Sequence, residues 1–99
     1  MATVRLVAEV VTVDLERIAG HLRVHDVEGI DERLGGIFEA FEILERHPLI
    51  GRPDQGDRRE LVIGTGSRGY VASYRYEALD DTVEVLALRA QREAGFRDR

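Results

Sequence analysis

One regular spacing of apolar residues constrains the fold of this chain more than any other feature. Six of them follow one another at steps of three and four, which places all six on one face of a helix. These residues are Val27, Ile30, Leu34, Ile37, Phe41 and Leu44. Glu39, Glu42 and Glu45 fall on the opposite, solvated face. Pro48 ends the pattern, because proline disfavours helical geometry at the residue before it. The spacing predicts an amphipathic helix that packs on another layer.

The segment before this helix predicts a strand and a second, shorter helix. Alternation of apolar and polar residues over positions 3–11 is typical of a half-buried strand. A stripe at steps of four, three and four then predicts a helix with Thr12 as its N-cap. The stripe consists of Val11, Leu15, Ile18 and Leu22. Residues 25–29 separate the helices, with Asp26 as the cap of the second one, so an antiparallel helical hairpin is expected.

The second half of the chain predicts strands joined by short turns. Residues 59–64, 69–77 and 82–90 are rich in β-branched and aromatic side chains, and the linkers between them suit hairpins. We therefore expect a three-stranded antiparallel meander after the helices. The order of strand, helical hairpin and meander predicts an α+β fold in a single domain over residues 1–99. With both helices on one face of the sheet, the other face should stay partly open.

Composition excludes several classes of function. The 99 residues contain no cysteine, which excludes disulfides, thiolate zinc sites and cysteine nucleophiles. No apolar run approaches the roughly 20 residues of a membrane helix. We therefore expect a cytoplasmic protein without a membrane partner. The formal net charge of −5 disfavours general nucleic-acid binding, which needs a basic surface.

Two motifs suggest ligand binding, but their context favours a simpler interpretation. The segment GTGSRG at positions 64–69 matches the dinucleotide-binding pattern GxGxxG. A strand is predicted after it, where a phosphate site needs a helix N-terminus, so a hairpin turn is expected. His21 and His25 have a spacing that can hold a metal, but a third ligand is not evident. We expect a solvated pair, and neither a metal nor a cofactor.

Arginine is the residue type that most suggests a binding site. All 14 basic residues are arginine, and nine of them, balanced by nine acids, fall in residues 48–99, whereas residues 1–47 carry five arginines and ten acids. An arginine within a small sheet, such as Arg75, is costly unless its guanidinium reaches water, a carboxylate or a phosphate. Two interpretations stay open. One is cross-strand pairing with Glu60, Glu77 or Glu84, and the other is a positive patch for a carboxylate-bearing partner. The patch would comprise Arg68, Arg75, Arg89 and Arg92.

Four segments, in this order, resemble the ParE branch of the RelE/ParE toxin superfamily. They are HPLIGRP, RELVIG, RGYVASYRYE and VEVLALRAQREAGF, and the resemblance extends from about residue 10 to residue 96. It implies a small toxin of a type II toxin–antitoxin system, of the kind that stabilises plasmids. ParE toxins act on DNA gyrase, whereas RelE toxins cleave messenger RNA on the ribosome. The resemblance also implies a ParD-like antitoxin that wraps the toxin in a hetero-oligomer.

Departures from the nuclease pattern favour the ParE branch. RelE-like nucleases use a tyrosine or histidine near the C-terminus for proton transfer, and the matching position here is Phe96, which cannot transfer a proton. The lysines of the nuclease are missing as well. The resemblance thus implies a gyrase inhibitor without catalytic residues. Two alternatives stay open: a ribosome-dependent endoribonuclease with Tyr70 or Tyr74 as substitute acids, and a toxin-derived binding module without activity.

Two groups of residues are candidates for contacts under this interpretation. The expected target-binding residues are Arg75, Arg89, Arg92 and Phe96. The expected antitoxin-binding residues are Arg68, Tyr70 and Tyr74. Both groups would meet a polypeptide, with no direct contact to nucleic acid.

Overall fold

The computed structural model describes residues 1–25, 28–93 and 95. The chain begins with strand β1 (Thr3–Leu6), a π-helical stretch (Val10–Leu15) and the helices α1 (Glu16–Val24) and α2 (Ile30–Arg46). It continues with strands β2 (Arg52–Pro53), β3 (Arg58–Ile63), β4 (Tyr70–Glu77) and β5 (Thr82–Ala90). A 3₁₀ turn at Gly66–Arg68 separates β3 from β4. The predicted α+β order is confirmed.

The five strands form one mixed sheet in the order β1-β5-β4-β3-β2. Strands β3, β4 and β5 pair in antiparallel fashion, which confirms the meander. Strand β1 lies parallel to β5, with Leu6 opposite Val85 at the end of the pairing. Strand β2 was not expected, because residues 52–53 fall in a segment predicted to be a loop. Its Arg52 lies opposite Glu60 and adds a fifth strand to the sheet.

The N-terminal strand is shorter than its alternation predicts. It ends at Leu6, helical backbone begins at Ala8, and Thr12 lies inside the π-helical stretch instead of capping a helix. The Thr12 hydroxyl donates to the Ala8 carbonyl at 3.0 Å. Val10 is fully buried and Val11 is half exposed, the reverse of the predicted stripe. The prediction is wrong here because burial of Val10 from a helical turn overrides a local two-residue period.

The apolar stripe of α2 packs on the sheet as predicted. Ile37, Phe41 and Leu44 are buried, and Ile30 and Leu34 are partly buried against the same core. The sheet contributes mainly β-branched and aromatic side chains to this core. They are Ile63, Tyr70, Tyr74, Val83, Val85 and Leu88. Asp26 and Val27, for which a cap and a core position were predicted, lie outside the described residues. None of the helices in the described part of the chain is long and apolar enough to cross a membrane.

A bulge in β5 lets its two ends face the same core. Ser73 lies opposite Ala87 and Tyr74 lies opposite Val85, so β5 contains one more residue, Leu86, than β4 at this point. One extra residue reverses the alternation along the strand. Val85 before the bulge and Leu88 after it therefore both point towards the helices.

The opposite face of the sheet is less open than expected. Val71, Ser73 and Ala87, at its centre, are 0 to 4% exposed. The face that was expected to stay partly open is therefore closed to water at this centre. Val62, which is opposite Val71 in the neighbouring strand, keeps 43% of its surface exposed.

A tyrosine inside the core holds the loop that follows α2. The Tyr74 hydroxyl accepts a hydrogen bond from the Gly51 N–H at 2.8 Å, and Arg59 Nη1 donates to the carbonyls of Leu49 and Gly51 at 3.2 and 2.8 Å. A Cβ on Gly51 would lie 2.7 Å from the Tyr74 ring and 2.8 Å from the Glu60 carbonyl oxygen. The loop can therefore approach the sheet this closely only with glycine at position 51.

Candidate functional site: a cleft lined by arginine

A cleft of about 530 Å³ opens between α1, the β3–β4 turn and the end of β5. Ile18 and Leu22 of α1 form part of its apolar floor, together with Tyr70 and Ala90 of the sheet. Its rim is strongly cationic. The charged and titratable residues of the rim are Arg17, His21, His25, Arg33, Arg68, Arg92 and Glu93. We call this site the arginine cleft.

The charge of the arginine cleft is opposite to that of the whole chain. The protein carries a formal net charge of −5, yet Glu93 is the one acid among the lining residues that the structure describes. Four guanidinium groups surround an apolar floor in the same small volume. Clefts with low-dielectric walls concentrate the field of such groups and attract ligands of opposite charge. The arrangement is suited to an anion.

A buried carboxylate holds Arg17, one of the residues that line the cleft. Asp14 is 1% exposed; its Oδ1 accepts from Arg17 Nη1 at 2.9 Å and its Oδ2 accepts from the Leu88 N–H at 2.8 Å. Arg17 Nη2 donates to the Leu88 carbonyl at 3.1 Å. The pairing of β1 with β5 ends at Val85. Beyond that point, Asp14 and Arg17 bind the N–H and the carbonyl of Leu88, which would otherwise need a neighbouring strand.

Glu93 places an internal carboxylate inside the cleft. Its Oε1 accepts from Arg17 Nε and Nη2 at 3.4 and 3.2 Å, and from the Ala90 N–H at 3.1 Å. The other oxygen, Oε2, lies 3.2 Å from Arg17 Nη2. Guanidinium and carboxylate groups form strong, directional pairs of this kind. The segment that follows β5 is thereby attached to α1.

The remaining arginines of the rim differ from Arg17 in their partners within the described part of the chain. Arg33, Arg68 and Arg92 form no ion pair with an acid in the described ranges 1–25, 28–93 and 95. Arg92 Nη2 lies 2.6 Å from His21 Nε2. A guanidinium has only donors, so the His21 nitrogen is the acceptor in this contact and no acid is involved in it. The cleft therefore presents positive charge that the described part of the chain does not neutralise.

The two histidines contact each other and the rim. Their ring centroids lie 4.2 Å apart, and His25 Nδ1 lies 3.0 Å from the His21 carbonyl oxygen. Together with the contact between His21 and Arg92, these contacts tie the two rings to each other, to the backbone of α1 and to the rim of the cleft. The GTGSRG segment forms a 3₁₀ turn followed by a strand, so the predicted hairpin turn is confirmed. The turn brings Arg68 to the cleft.

On the opposite face of the sheet, Arg75 is paired with acids. Its Nε and Nη2 donate to Glu84 Oε1 at 3.0 and 2.8 Å, and Glu77 lies 3.9 Å from its Nε. The hydrogen bond and the charge of Glu84 raise the pKa of Arg75 above its ordinary value. Of the two interpretations left open by the sequence, cross-strand pairing is the one observed for this residue.

Arg89 lies on the same face and bends towards the end of β5. Its Nη1 donates to the carbonyl oxygens of Ala90, Gln91 and Glu93 at 3.3 to 3.4 Å. Arg89 therefore binds backbone carbonyls at and after the end of β5, while Arg17 binds the carboxylate of Glu93. Both arginines fix the position of residues 91–93 relative to the sheet.

The structure regroups the residues that the sequence analysis had divided into two sets. Arg68 and Tyr70, expected to contact the antitoxin, and Arg92, expected to contact the target, line the same cleft. Arg75 and Arg89 are away from it.

The remaining two candidates are Tyr74 and Phe96. Tyr74 is fully buried, and burial raises the pKa of its hydroxyl, so this side chain supports the core and offers no surface to a partner. Phe96 lies outside the described residues.

Sequence reasoning missed Asp14, Arg17 and Glu93. The spacing of Asp14 and Arg17, three residues apart on a helix, is the local signal for their pairing. Nothing local connects them to Glu93, which is more than 70 residues away in the chain.

A two-helix layer on one face of a mixed five-stranded sheet, with an anion-attracting cleft beside it, defines a small α+β protein of RelE/ParE-like architecture. The family model of the ParE toxin of type II toxin-antitoxin system, parDE, matches residues 7–95. The chain belongs to this toxin family, which confirms the resemblance and implies an antitoxin as partner. The searches of curated proteins and of solved structures found no match to the chain.

Proposed function

We propose that this toxin acts in the cytoplasm as a single domain, that it inhibits DNA gyrase by protein–protein contact, and that a ParD-like antitoxin neutralises it in a hetero-oligomer. The family match over residues 7–95 is the observation that carries the proposal. The ParE branch is the one that the sequence resembles, and Phe96 at the position of the nuclease proton donor supports this choice.

Burial in the core weakens the nuclease alternative further. A general acid must reach the proton acceptor of the substrate within hydrogen-bonding distance. Tyr74 is fully buried and its hydroxyl contacts Gly51, so it has no access to RNA. Tyr70 is 7% exposed on the floor of the arginine cleft and is the remaining substitute acid for that alternative.

The proposed gyrase contact involves Arg92 and the segment around it. Arg92 is exposed and has no acidic partner in the part of the chain that the structure describes. Arg75 keeps 40% of its side chain exposed beside Glu84 and can border such a contact without leaving its partner. Phe96 stays a proposed contact on the strength of the resemblance.

A supercoiling assay with purified gyrase and relaxed plasmid tests the proposal. We expect the toxin at micromolar concentration to stop supercoiling and to increase the amount of cleaved DNA. Arg92→Ala should weaken this inhibition, whereas Arg23→Ala, an exposed arginine of α1 outside the cleft lining, should leave it unchanged. No effect of the wild-type protein would contradict the proposal.

A cell-free translation assay separates the alternatives. Cleaved messages together with unaffected gyrase would favour the ribosome-dependent endoribonuclease. Normal translation and normal supercoiling, combined with tight antitoxin binding, would favour a binding module that has lost its toxic activity.

A further inference from the structure

We propose that the arginine cleft is the docking site of an acidic antitoxin segment with apolar anchor residues, and that Glu93 occupies part of this site in the free toxin. The inference rests on the proposed function only for the identity of the partner. The chemistry of the segment comes from the cleft itself.

The kind of anion follows from the contact that Glu93 makes. A carboxylate already lies on Arg17 in this cleft, where it accepts two guanidinium hydrogen bonds and one from the Ala90 N–H. The cleft is therefore shaped for a carboxylate at this position. Three more guanidinium groups, from Arg33, Arg68 and Arg92, have no acid partner among the described residues. Each of them can therefore bind a carboxylate of the partner.

The size of the cleft requires more than a single ion. A volume of about 530 Å³ lies within the range of about 300–1,000 Å³ that is typical of sites for multi-group ligands. Ile18, Leu22 and Tyr70 line its floor with apolar atoms. An occupant that matches both parts has carboxylates at the rim and an apolar side chain between them. Acidic segments that fold on binding have this composition.

A protein segment fits this cleft better than a nucleic acid does. Binding along a phosphate backbone depends on a basic surface that extends beyond one cavity. Here the net charge of the chain is −5, and Glu93 would repel a phosphate at the position where Arg17 is found. An acidic peptide can replace Glu93 with a carboxylate of its own.

Glu93 is consequently an internal competitor for the antitoxin. A partner carboxylate that binds Arg17 displaces Glu93 and detaches residues 91–93 from α1. The apparent affinity of the cleft is reduced by the fraction of molecules in which Glu93 is bound. Removal of the Glu93 carboxylate should therefore strengthen the binding of an acidic ligand by more than the loss of one negative charge alone would.

Fluorescence anisotropy with the full-length toxin and a short labelled peptide of alternating Glu and Leu tests this inference. The wild-type toxin should bind this peptide and should not bind a matched peptide of alternating Gln and Leu. Glu93→Gln should raise the affinity by about fivefold or more. Glu77→Gln, which removes the same charge from an exposed acid on the opposite face, is the matched control and should change the affinity little.

Two arginine variants complete the test. Arg33→Ala and Arg68→Ala should each weaken binding of the Glu–Leu peptide by about tenfold, since each removes a charge-assisted hydrogen bond. The binding curves are compared at equal folded fraction, determined from thermal melts of each variant. Equal affinity for the Gln–Leu peptide, or an unchanged affinity in Glu93→Gln, would overturn the inference. Tighter binding of a short DNA duplex through the same arginines would overturn it in favour of a nucleic-acid site.

This assay contains no gyrase, so its failure is distinguishable from failure of the proposed function. Inhibition of supercoiling without peptide binding would refute the docking site alone. Peptide binding without inhibition would refute gyrase as the target and leave the docking site intact.

Discussion

The two sides of the sheet use arginine in different ways. On the side away from the helices, Arg75 is bound to Glu84, because the antiparallel register of β4 and β5 places the two residues opposite each other. In the arginine cleft, Arg33 and Arg68 come from α2 and from the β3–β4 turn, and neither has an acid partner among residues 1–25, 28–93 and 95. Arginine thus stabilises the sheet on one side and is available to a partner on the other.

This difference indicates which arginines contribute most to the affinity for a binding partner. A partner carboxylate at Arg75 would have to compete with Glu84, whereas one at Arg33 or Arg68 finds a guanidinium that has no acid partner among residues 1–25, 28–93 and 95. Arg17 is intermediate, since it holds both the buried Asp14 and the displaceable Glu93. Stability should therefore depend on the paired arginines and binding on the unpaired ones.

The largest loss of stability is expected for Asp14→Ala. The substitution removes the buried acceptor of the Leu88 N–H and leaves Arg17 without its closest partner. Breaking a buried pair of this kind costs about 3 kcal/mol. Urea unfolding followed by circular dichroism measures the loss. A change no larger than that of an exposed ion pair would show that the edge of β5 does not depend on this contact.

Gly51→Ala should have the next largest effect. The new Cβ would lie 2.7 Å from the Tyr74 hydroxyl and 2.8 Å from the Glu60 carbonyl oxygen, and overpacking of this kind costs about 1–3 kcal/mol. Gly35→Ala is the matched control: its Cβ meets no atom within 4 Å, so the helix should gain about 1 kcal/mol. Thermal melts of both variants should shift in opposite directions. A shift in the same direction would refute the close approach at Gly51.

Glu84→Gln should cost much less than Asp14→Ala, although Arg75 Nη2 donates to Glu84 Oε1 at 2.8 Å. Arg75 keeps 40% of its side chain in water, which screens the pair and replaces part of the lost interaction. The same urea titration as for Asp14→Ala provides the comparison. Equal losses for the two variants would erase the distinction between a buried and an exposed partner.

The smallest effect on stability is expected for Arg33→Ala and Arg68→Ala. Neither residue has an ion pair to lose within the described part of the chain, so the free energy of unfolding should stay within about 0.5 kcal/mol of the wild type. Differential scanning calorimetry gives this value directly. A loss as large as that of Asp14→Ala would assign these arginines to the fold and remove them from the binding surface.

Local patterns were sufficient for the parts of the fold that are regular. The stripe of α2 places Ile37, Phe41 and Leu44 in the core as predicted, because a helix repeats its geometry every few residues. The meander was equally predictable from its strand-forming residues and short turns. The start of the first helix was not, since Val10 is buried from a π-helical turn that has no distinct sequence period.

Long-range contacts explain why the candidate site was only partly predictable. Arg68, Tyr70 and Arg92 were singled out, but they were assigned to two different surfaces. Arg75 was placed correctly on the face away from Tyr74, yet its partner was one of three candidates. Glu93 was overlooked, because its contact with Arg17 depends on how the end of β5 approaches α1.

The amino-acid sequence by itself determined the order of the two helices and the four longer strands and the apolar face of α2, which depend on neighbours a few residues apart. It also determined membership in the toxin family, which rests on a match over residues 7–95. Only the tertiary structure decided which arginines are neutralised and which are left to a partner. The reason is that a charge is neutralised by whatever lies within a few ångströms of it. For Arg17 and Glu93 that distance is 3.2 Å in space and more than 70 residues along the chain.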